Sequence, residues 1–210
     1  MLETPSLLLV VTLADAGDDG AWIEEYAPQC PLRVTAVRER HVEDDVREAV
    51  RTLPTGARAA VTIDQRFMGF LAKRAIDTLA ALGVPTPSLI HPTAQVHAGT
   101  RIAVGPRVAA GALVARGVSL GDHARVLERA VIGRDASIGP FSTIDPGVIV
   151  GEGVHVGAHS WIRSGVVLEA RTIVGASCEL SIPSSYRGNI PEGTQQMPGL
   201  DTPARILRFG

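Results

Sequence analysis

Side chains able to move protons or hold anions recur along this 210-residue chain at intervals of eighteen. His123, Phe141 and His159 form one such series, and Arg125, Thr143 and Trp161 form a second two residues further on. Glu128 follows Arg125 by three positions. Imidazole and carboxylate groups act as general bases near neutral pH when burial and neighbours bring their pKa there. Glu128 reads two ways: a base if burial raises its pKa, or an ion-pair partner of Arg125 or Arg129, which would lower it.

An interval of eighteen has a structural origin, because it is three times six. From Ile90 to Leu180 every sixth residue is aliphatic, sixteen positions without an insertion, among them Ile102, Val114, Ile132, Ile144, Val156 and Leu168. Two places before it usually stands a small or slim residue, as at Ala112, Ala130, Ser142, Ser160 and Cys178, and glycine or an acid often follows it. A fixed period of this kind predicts a solenoid: three hexads close one triangular coil, and coils stack roughly 4.8 Å apart with strand-like hydrogen bonds. The aliphatic residue points to the axis, the small one fills the tapering corner, and the following Gly or Asp supplies a corner backbone that β-branched residues resist. Residues eighteen apart then lie one above another, which groups the two series and Glu128 on one side of the prism. Large aromatics such as Phe141 and Trp161 there mark a ligand cleft or an interface between copies.

Before the repeat, strands and helices alternate. Leu7–Leu13 reads as a buried strand, Gly20–Tyr26 as a short helix, Leu32–Val37 as a strand and Val42–Leu53 as a helix striped by Val42, Val46 and Val50. Ala59–Ile63 is a third strand, followed by a helix from Gln65 to about Leu82 and a turn at Gly83-Val84-Pro85. The order predicts a small parallel sheet of Rossmann type. The loop after the first strand, Leu13 to Gly20, carries three carboxylates and does not suit a pyrophosphate. The chain is thus expected to be mainly β: a small Rossmann-like α/β domain over 1–86, a left-handed parallel β-helix of hexapeptide repeats over 87–181, and a C-terminal loop and capping tail over 182–210.

A formal net charge of -2 favours neither nucleic acid nor an anionic membrane surface. No apolar run is long enough to cross a bilayer, and Cys30 and Cys178 have no partner spacing, so a reducing cytoplasm is expected. Cys178 occupies a small inward slot and reads as a core residue. After Leu180 the repeat stops, Ser181–Gly188 reads as a polar loop, and the tail is expected to fold over the last coil.

Chain-long, the sequence resembles the hexapeptide-repeat sugar acyltransferases of bacterial surface-glycan biosynthesis, the sialic-acid O-acetyltransferase and UDP-amino-sugar N-acetyltransferase group. The carriers are Ser88-Leu89-Ile90-His91-Pro92-Thr93-Ala94, Val131-Ile132-Gly133, Ile144-Asp145-Pro146-Gly147, Ile190-Pro191-Glu192-Gly193 and Pro203-Ala204-Arg205. The resemblance implies a homotrimer that uses acetyl-CoA or another acyl-CoA, with active sites between neighbouring prisms. It also implies an N-terminal domain that holds the nucleotide part of a sugar. Aligned through Val131-Ile132-Gly133, Glu128 stands where the family has its basic histidine, and Thr143 replaces a second histidine.

The expected function is acyl-CoA-dependent acylation of an amine or hydroxyl on a sugar or small metabolite. Candidate catalytic groups are Glu128, His159, His123 and Thr143. Candidate cofactor contacts towards the C-terminal coils are Trp161, Arg163, Arg171, Gly175, Arg187 and Arg205. The alternative, from the replaced histidines, is a catalytically silent trimeric relative that binds or scaffolds. The γ-class carbonic anhydrases share the prism and hold zinc with three histidines, but His155 and His159 lack a matching third ligand, so no metal is expected.

Overall fold

The computed structural model describes residues 7–14, 23, 25–26, 30–63, 69–196, 198–199 and 202–205. Two compact units divide the chain, Met1–Pro87 and Ser88–Gly210.

In the first unit, Leu8–Leu13 (β1) is buried along its whole length because it lies between two parallel partners, Leu32–Val37 (β2) and Arg58–Val61 (β3), in the order β2-β1-β3. A continuous apolar run suits such a central strand. Helix Val42–Val50 (α1) turns Val42 and Val46 inward, and helix Phe70–Ala81 (α2) buries Leu71, Ala75 and Leu79 against the same core. Arg74 on α2 grips both carboxylate oxygens of Glu43 on α1 at 2.6 Å. Helix α2 ends at Gly83, whose φ of +72° lets the Val84 N–H turn back to the Leu79 carbonyl. The sequence placed the helices slightly long: α1 stops at Val50, and α2 begins by Phe70. The proposed Gly20–Tyr26 helix, the Asp15–Gly20 loop and the start at Gln65 fall largely outside the described residues.

The second unit is a left-handed parallel β-helix. From Leu89 to Tyr186 each coil gives one two-residue strand to each of three parallel sheets, and each strand pairs with the one eighteen residues away: Arg125-Val126 with Thr143-Ile144, Thr143-Ile144 with Trp161-Ile162. The first rungs, Ile90, Val96 and Ile102, are exposed or half-buried, whereas from Val108 to Leu180 the aliphatic rungs predicted from the sequence are the core, with Val126, Ile144, Ile162 and Leu168 fully buried. Each such side chain contributes about 1.5–3 kcal/mol relative to leaving it in water. The small inward positions hold more than volume. Ser142 Oγ donates to the Gly157 carbonyl at 2.6 Å and accepts from Ser160 N–H, and Ser160 Oγ repeats this with the Gly175 carbonyl and Cys178 N–H. Cys178 ends that ladder, its thiol 3.2 Å from the Pro191 carbonyl and pushed up in pKa by burial.

Two details differ from the sequence reading. The left-handed corner residue is not the one after the aliphatic rung but the one three places beyond it. From Gly105 to Ser177 every sixth residue has positive φ, whether Gly111, His123, Arg129, Asp135, Phe141, His159 or Arg171. The glycine directly after the rung answers a different constraint: a Cβ on Gly139 would stand 2.7 Å from the Ala158 backbone nitrogen of the next coil. The solenoid also runs past Leu180. Ser185-Tyr186, Asn189-Ile190 and Thr194–Gln196 pair in parallel with the coil below, so the polar loop expected at Ser181–Gly188 is instead part of a further coil. Two residues are lost between Tyr186 and Asn189, which breaks the six-residue period without breaking the stack. Ala204-Arg205 then pairs antiparallel with Thr194-Gln195 on the outer edge of that coil.

The same substitution separates the two glycine roles. Gly147 has φ +71° and nothing within 4 Å of a Cβ, and asparagine tolerates that backbone, so Gly147→Asn should leave the denaturation midpoint nearly unchanged. Gly139→Asn forces two coils apart and should cost at least about 2 kcal/mol in the same urea titration.

Candidate active site

The three sheets give the prism three faces with different chemistry. The first face carries Arg107, Arg125, Thr143, Trp161 and Glu179 outward, and the second carries Leu113, Val131, Ile149 and Val167. The third carries Ser119, Ser137, His155 and Ile173. The first carries the large aromatic Trp161 together with charged and hydroxyl groups, the residues of one eighteen-residue series read from the sequence.

Along one edge of the first face runs the column His123, Phe141, His159. These residues are the left-handed corners themselves, with φ between +53° and +57°, rather than members of the face. Their rings stack, with centroids 5.4 Å apart for His123 and Phe141 and 5.2 Å for Phe141 and His159. Gly105, one coil below, lies under the His123 imidazole, where a side chain would collide with it. The phenyl ring thus fixes both imidazoles along this edge.

On the face, Arg125 Nε donates to Thr143 Oγ1 at 3.1 Å, and Thr143 is 3% exposed. At the opposite edge stand the residues following each rung. Asp145 accepts a 2.7 Å hydrogen bond on Oδ1 from Trp161 Nε1, and Arg163 Nε lies 3.3 Å from Oδ2. Arg163 rests over the Trp161 ring at 4.0 Å and reaches Glu179 Oε1 at 3.3 Å, which also accepts from Ser181 Oγ at 2.9 Å. Burial pushes the Asp145 carboxyl above the ordinary aspartate value, against the lowering pull of Trp161, Arg163, the Ser164 N–H and Arg125.

Glu128 is exposed on the same corner one coil below, and its carbonyl accepts from Gly147 N–H at 2.9 Å. Among the described residues neither Arg125 nor Arg129 forms an ion pair with it. The structure therefore brings His123, His159, Thr143, Glu128, Trp161 and Arg163 around one face. The remaining cofactor candidates are elsewhere. Arg171 and Arg187 are exposed at the corner between the second and third faces. Gly175 follows the third face and is packed against the Glu192 backbone, so its role in the single chain is close contact between coils. The Arg205 side chain lies outside the described residues. His155 sits on a third-face strand with Nδ1 2.6 Å from Ser137 Oγ, away from the His159 corner. Among the described residues no three His, Cys, Asp or Glu side chains stand together as a metal site, and no helix is long and apolar enough to cross a membrane.

Asp145 itself was missed as a site residue. It appeared in the sequence only within a hexad motif, and the signal for it was an acid and a tryptophan sixteen residues apart, two short of the eighteen that stack vertically.

The bacterial transferase hexapeptide model of six repeats matches residues 129–164, the coils that carry this site. Among curated protein sequences, none matches this chain. Solved structures share its fold over nearly the whole length. PerB from Caulobacter crescentus, in complex with CoA and GDP-perosamine, is 20% identical with a TM-score of 0.72, covering 90% of this chain and 92% of that one. The acetyltransferase domain of PglB from Neisseria gonorrhoeae, in complex with acetyl coenzyme A, is 24% identical with a TM-score of 0.72, covering 90% and 94%. WeeI from Acinetobacter baumannii is 14% identical with a TM-score of 0.66, covering 90% and 95%. The hexapeptide-repeat prism and its preceding α/β unit, both expected from the resemblance, are thus the fold of this protein.

Asp145 and Asp45 should respond oppositely to pH. Asp45, held by Arg38, has its carboxyl lowered to about 2, so its contribution to stability is present above the ordinary aspartate value and is lost as pH falls towards about 2. Asp145 binds its proton more tightly folded than unfolded, so its contribution is greatest below the ordinary aspartate value and declines as pH rises through the raised one. Urea midpoints against pH should show Asp45→Asn losing most relative to wild type at neutral pH, and Asp145→Asn losing most in acid.

Proposed function

We propose that this protein is an acyl-CoA-dependent acyltransferase, acting on an amine or hydroxyl of a sugar or small metabolite, and that it works in the cytoplasm as a homotrimer. The observation that carries the reading is the first face, where Thr143, His159 and the Asp145-Trp161-Arg163 group stand within the residues matched by the transferase hexapeptide repeat, with Arg125 and His123 just before them. Proteins of the same fold hold CoA with GDP-perosamine, or acetyl coenzyme A, which supports the donor and the class of acceptor.

The second face supports the trimer. Leu113, Val131 and Ile149 are 39%, 38% and 47% exposed in one uncharged column, an apolar stripe the other faces lack. Three prisms with second faces turned towards a common axis set the first–second corner of each copy against the second–third corner of the next. The Glu128-Asp145-Arg163 corner of one copy would thereby meet Arg171 and Arg187 of its neighbour. This gives the candidate cofactor arginines, scattered on one chain, a common cleft in which to hold the CoA phosphates, with Trp161 and Arg163 beside them.

In that cleft the acceptor and thioester are held in line, and orientation supplies much of the rate. Glu128 and Thr143 stand on the acceptor side of that cleft, His123 and His159 line the far edge of the same face, and backbone N–H groups and Arg125 are the donors available to a developing oxyanion.

Acetyl-CoA should raise the thermal midpoint and support thiol release with amino-sugar acceptors. Absence of any shift with a panel of acyl-CoAs would leave the silent, scaffolding alternative. Val131→Glu combined with Ile149→Lys should convert the trimer to monomers by light scattering and abolish thiol release. A double variant that remains trimeric would displace the interface from the second face.

A further inference from the structure

We infer that Asp145 is the general base of this site, the group that takes the proton from the acceptor amine or hydroxyl. The inference rests on the acyltransferase reading and names a residue of that same site.

The column that contains Asp145 shows that the fold does not need a carboxylate there. Its vertical neighbours are Leu127 below and Arg163 and Ser181 above, and the coils pair with the same register at each level. Withdrawing a carboxylate from water is costly unless it is paired, and nothing in coil stacking requires it. Here the side chain is 13% exposed, whereas Glu128 on the preceding coil is fully at the surface.

Its orientation is fixed from two sides. Trp161 Nε1 at 2.7 Å holds Oδ1, and Arg163 Nε at 3.3 Å holds Oδ2. Arg163 is itself braced by the Trp161 ring and by Glu179, and Glu179 by Ser181. Trp161 Nε1, Arg163 Nε and the Ser164 N–H occupy three of the carboxylate's roughly four acceptor positions, which leaves one lone pair for an incoming O–H or N–H. The charged groups around it are Arg163 above, Arg125 below, Glu179 beyond Arg163 and Glu128 on the preceding coil. Burial outweighs the two arginines and raises the proton affinity of the carboxylate, the direction a base working near neutrality requires.

In the step itself, the acceptor lone pair attacks the thioester carbonyl carbon while its proton passes to an Asp145 oxygen. The tetrahedral oxyanion then collapses, the carbon–sulfur bond breaks, and the departing thiolate takes the proton from Asp145. The products are an ester or amide and free CoA thiol, and the carboxylate is regenerated.

Wild type, Asp145→Asn, Asp145→Glu and Glu128→Gln full-length chains would be compared for acetyl-CoA binding by calorimetry and for thiol release with amino-sugar acceptors across the neutral pH range. Asparagine keeps an acceptor for Trp161, so Asp145→Asn should fold and bind acetyl-CoA as wild type does. Its kcat should fall on the order of 10²–10⁴-fold, and the acid limb of the kcat/KM profile should disappear. Asp145→Glu should recover part of the rate and a displaced acid limb, which a purely structural role would not give. Asp145→Asn that keeps its rate and limb, or Glu128→Gln that removes the limb, would overturn the assignment while leaving the acyltransferase reading intact. A wild-type chain that binds acetyl-CoA but releases no thiol with any acceptor would remove the base role alone, and one that binds no acyl-CoA would remove both.

Discussion

Coil-upon-coil hydrogen bonding in a fixed eighteen-residue register is the constraint on which the site depends. Each strand is only two residues long and has no stability alone, so neighbours above and below define its position. That is why bulky or charged groups can be placed on the surface with little local support. Thr143, Trp161 and Glu179 are aligned by the stack, and Arg125 finds the Thr143 hydroxyl because the two are vertical neighbours. The close approach at Gly121, Gly133, Gly139 and Gly151 keeps the stack at this spacing, since a side chain at any of them would meet the backbone of the next coil.

Corners, not faces, supply the freedom. A left-handed corner residue contributes no rung to the core, so its side chain varies from glycine to arginine to phenylalanine. One corner builds the imidazole and phenyl stack. At the next corner Asp145 and Arg163, which follow rungs, join Trp161 and Glu179 of the first face in a group whose charges hold one another. Such a group gains more from mutual orientation than from net attraction, because desolvation offsets much of the Coulomb energy. The raised carboxyl of Asp145 records that balance.

Much of this was legible in the chain. The hexad period gave the prism, its core rungs, the vertical series and the small inward slots, because a six-residue repeat leaves a solenoid few alternatives. Val42 and Val46 likewise announced their helix. The reading failed where period and geometry separate. The final coil was missed because deletion of two residues between Tyr186 and Asn189 destroys the sequence period while leaving the parallel hydrogen bonds intact. The glycines after the rungs were assigned a backbone conformation when their cause is steric contact with the next coil.

Sequence by itself determined which residues stack one above another on successive coils, and so placed Arg125, Thr143 and Trp161 in one column and His123, Phe141 and His159 in another. Only the tertiary structure decided which side chains turn towards each other across a corner. Trp161 reaches back to Asp145, and Arg163 folds over the indole, while Glu128, one residue beyond the same corner position one coil below, is left in water. The reason is physical: the repeat fixes backbone register, but rotamers and burial, which set proton affinity, depend on side chains from several coils at once.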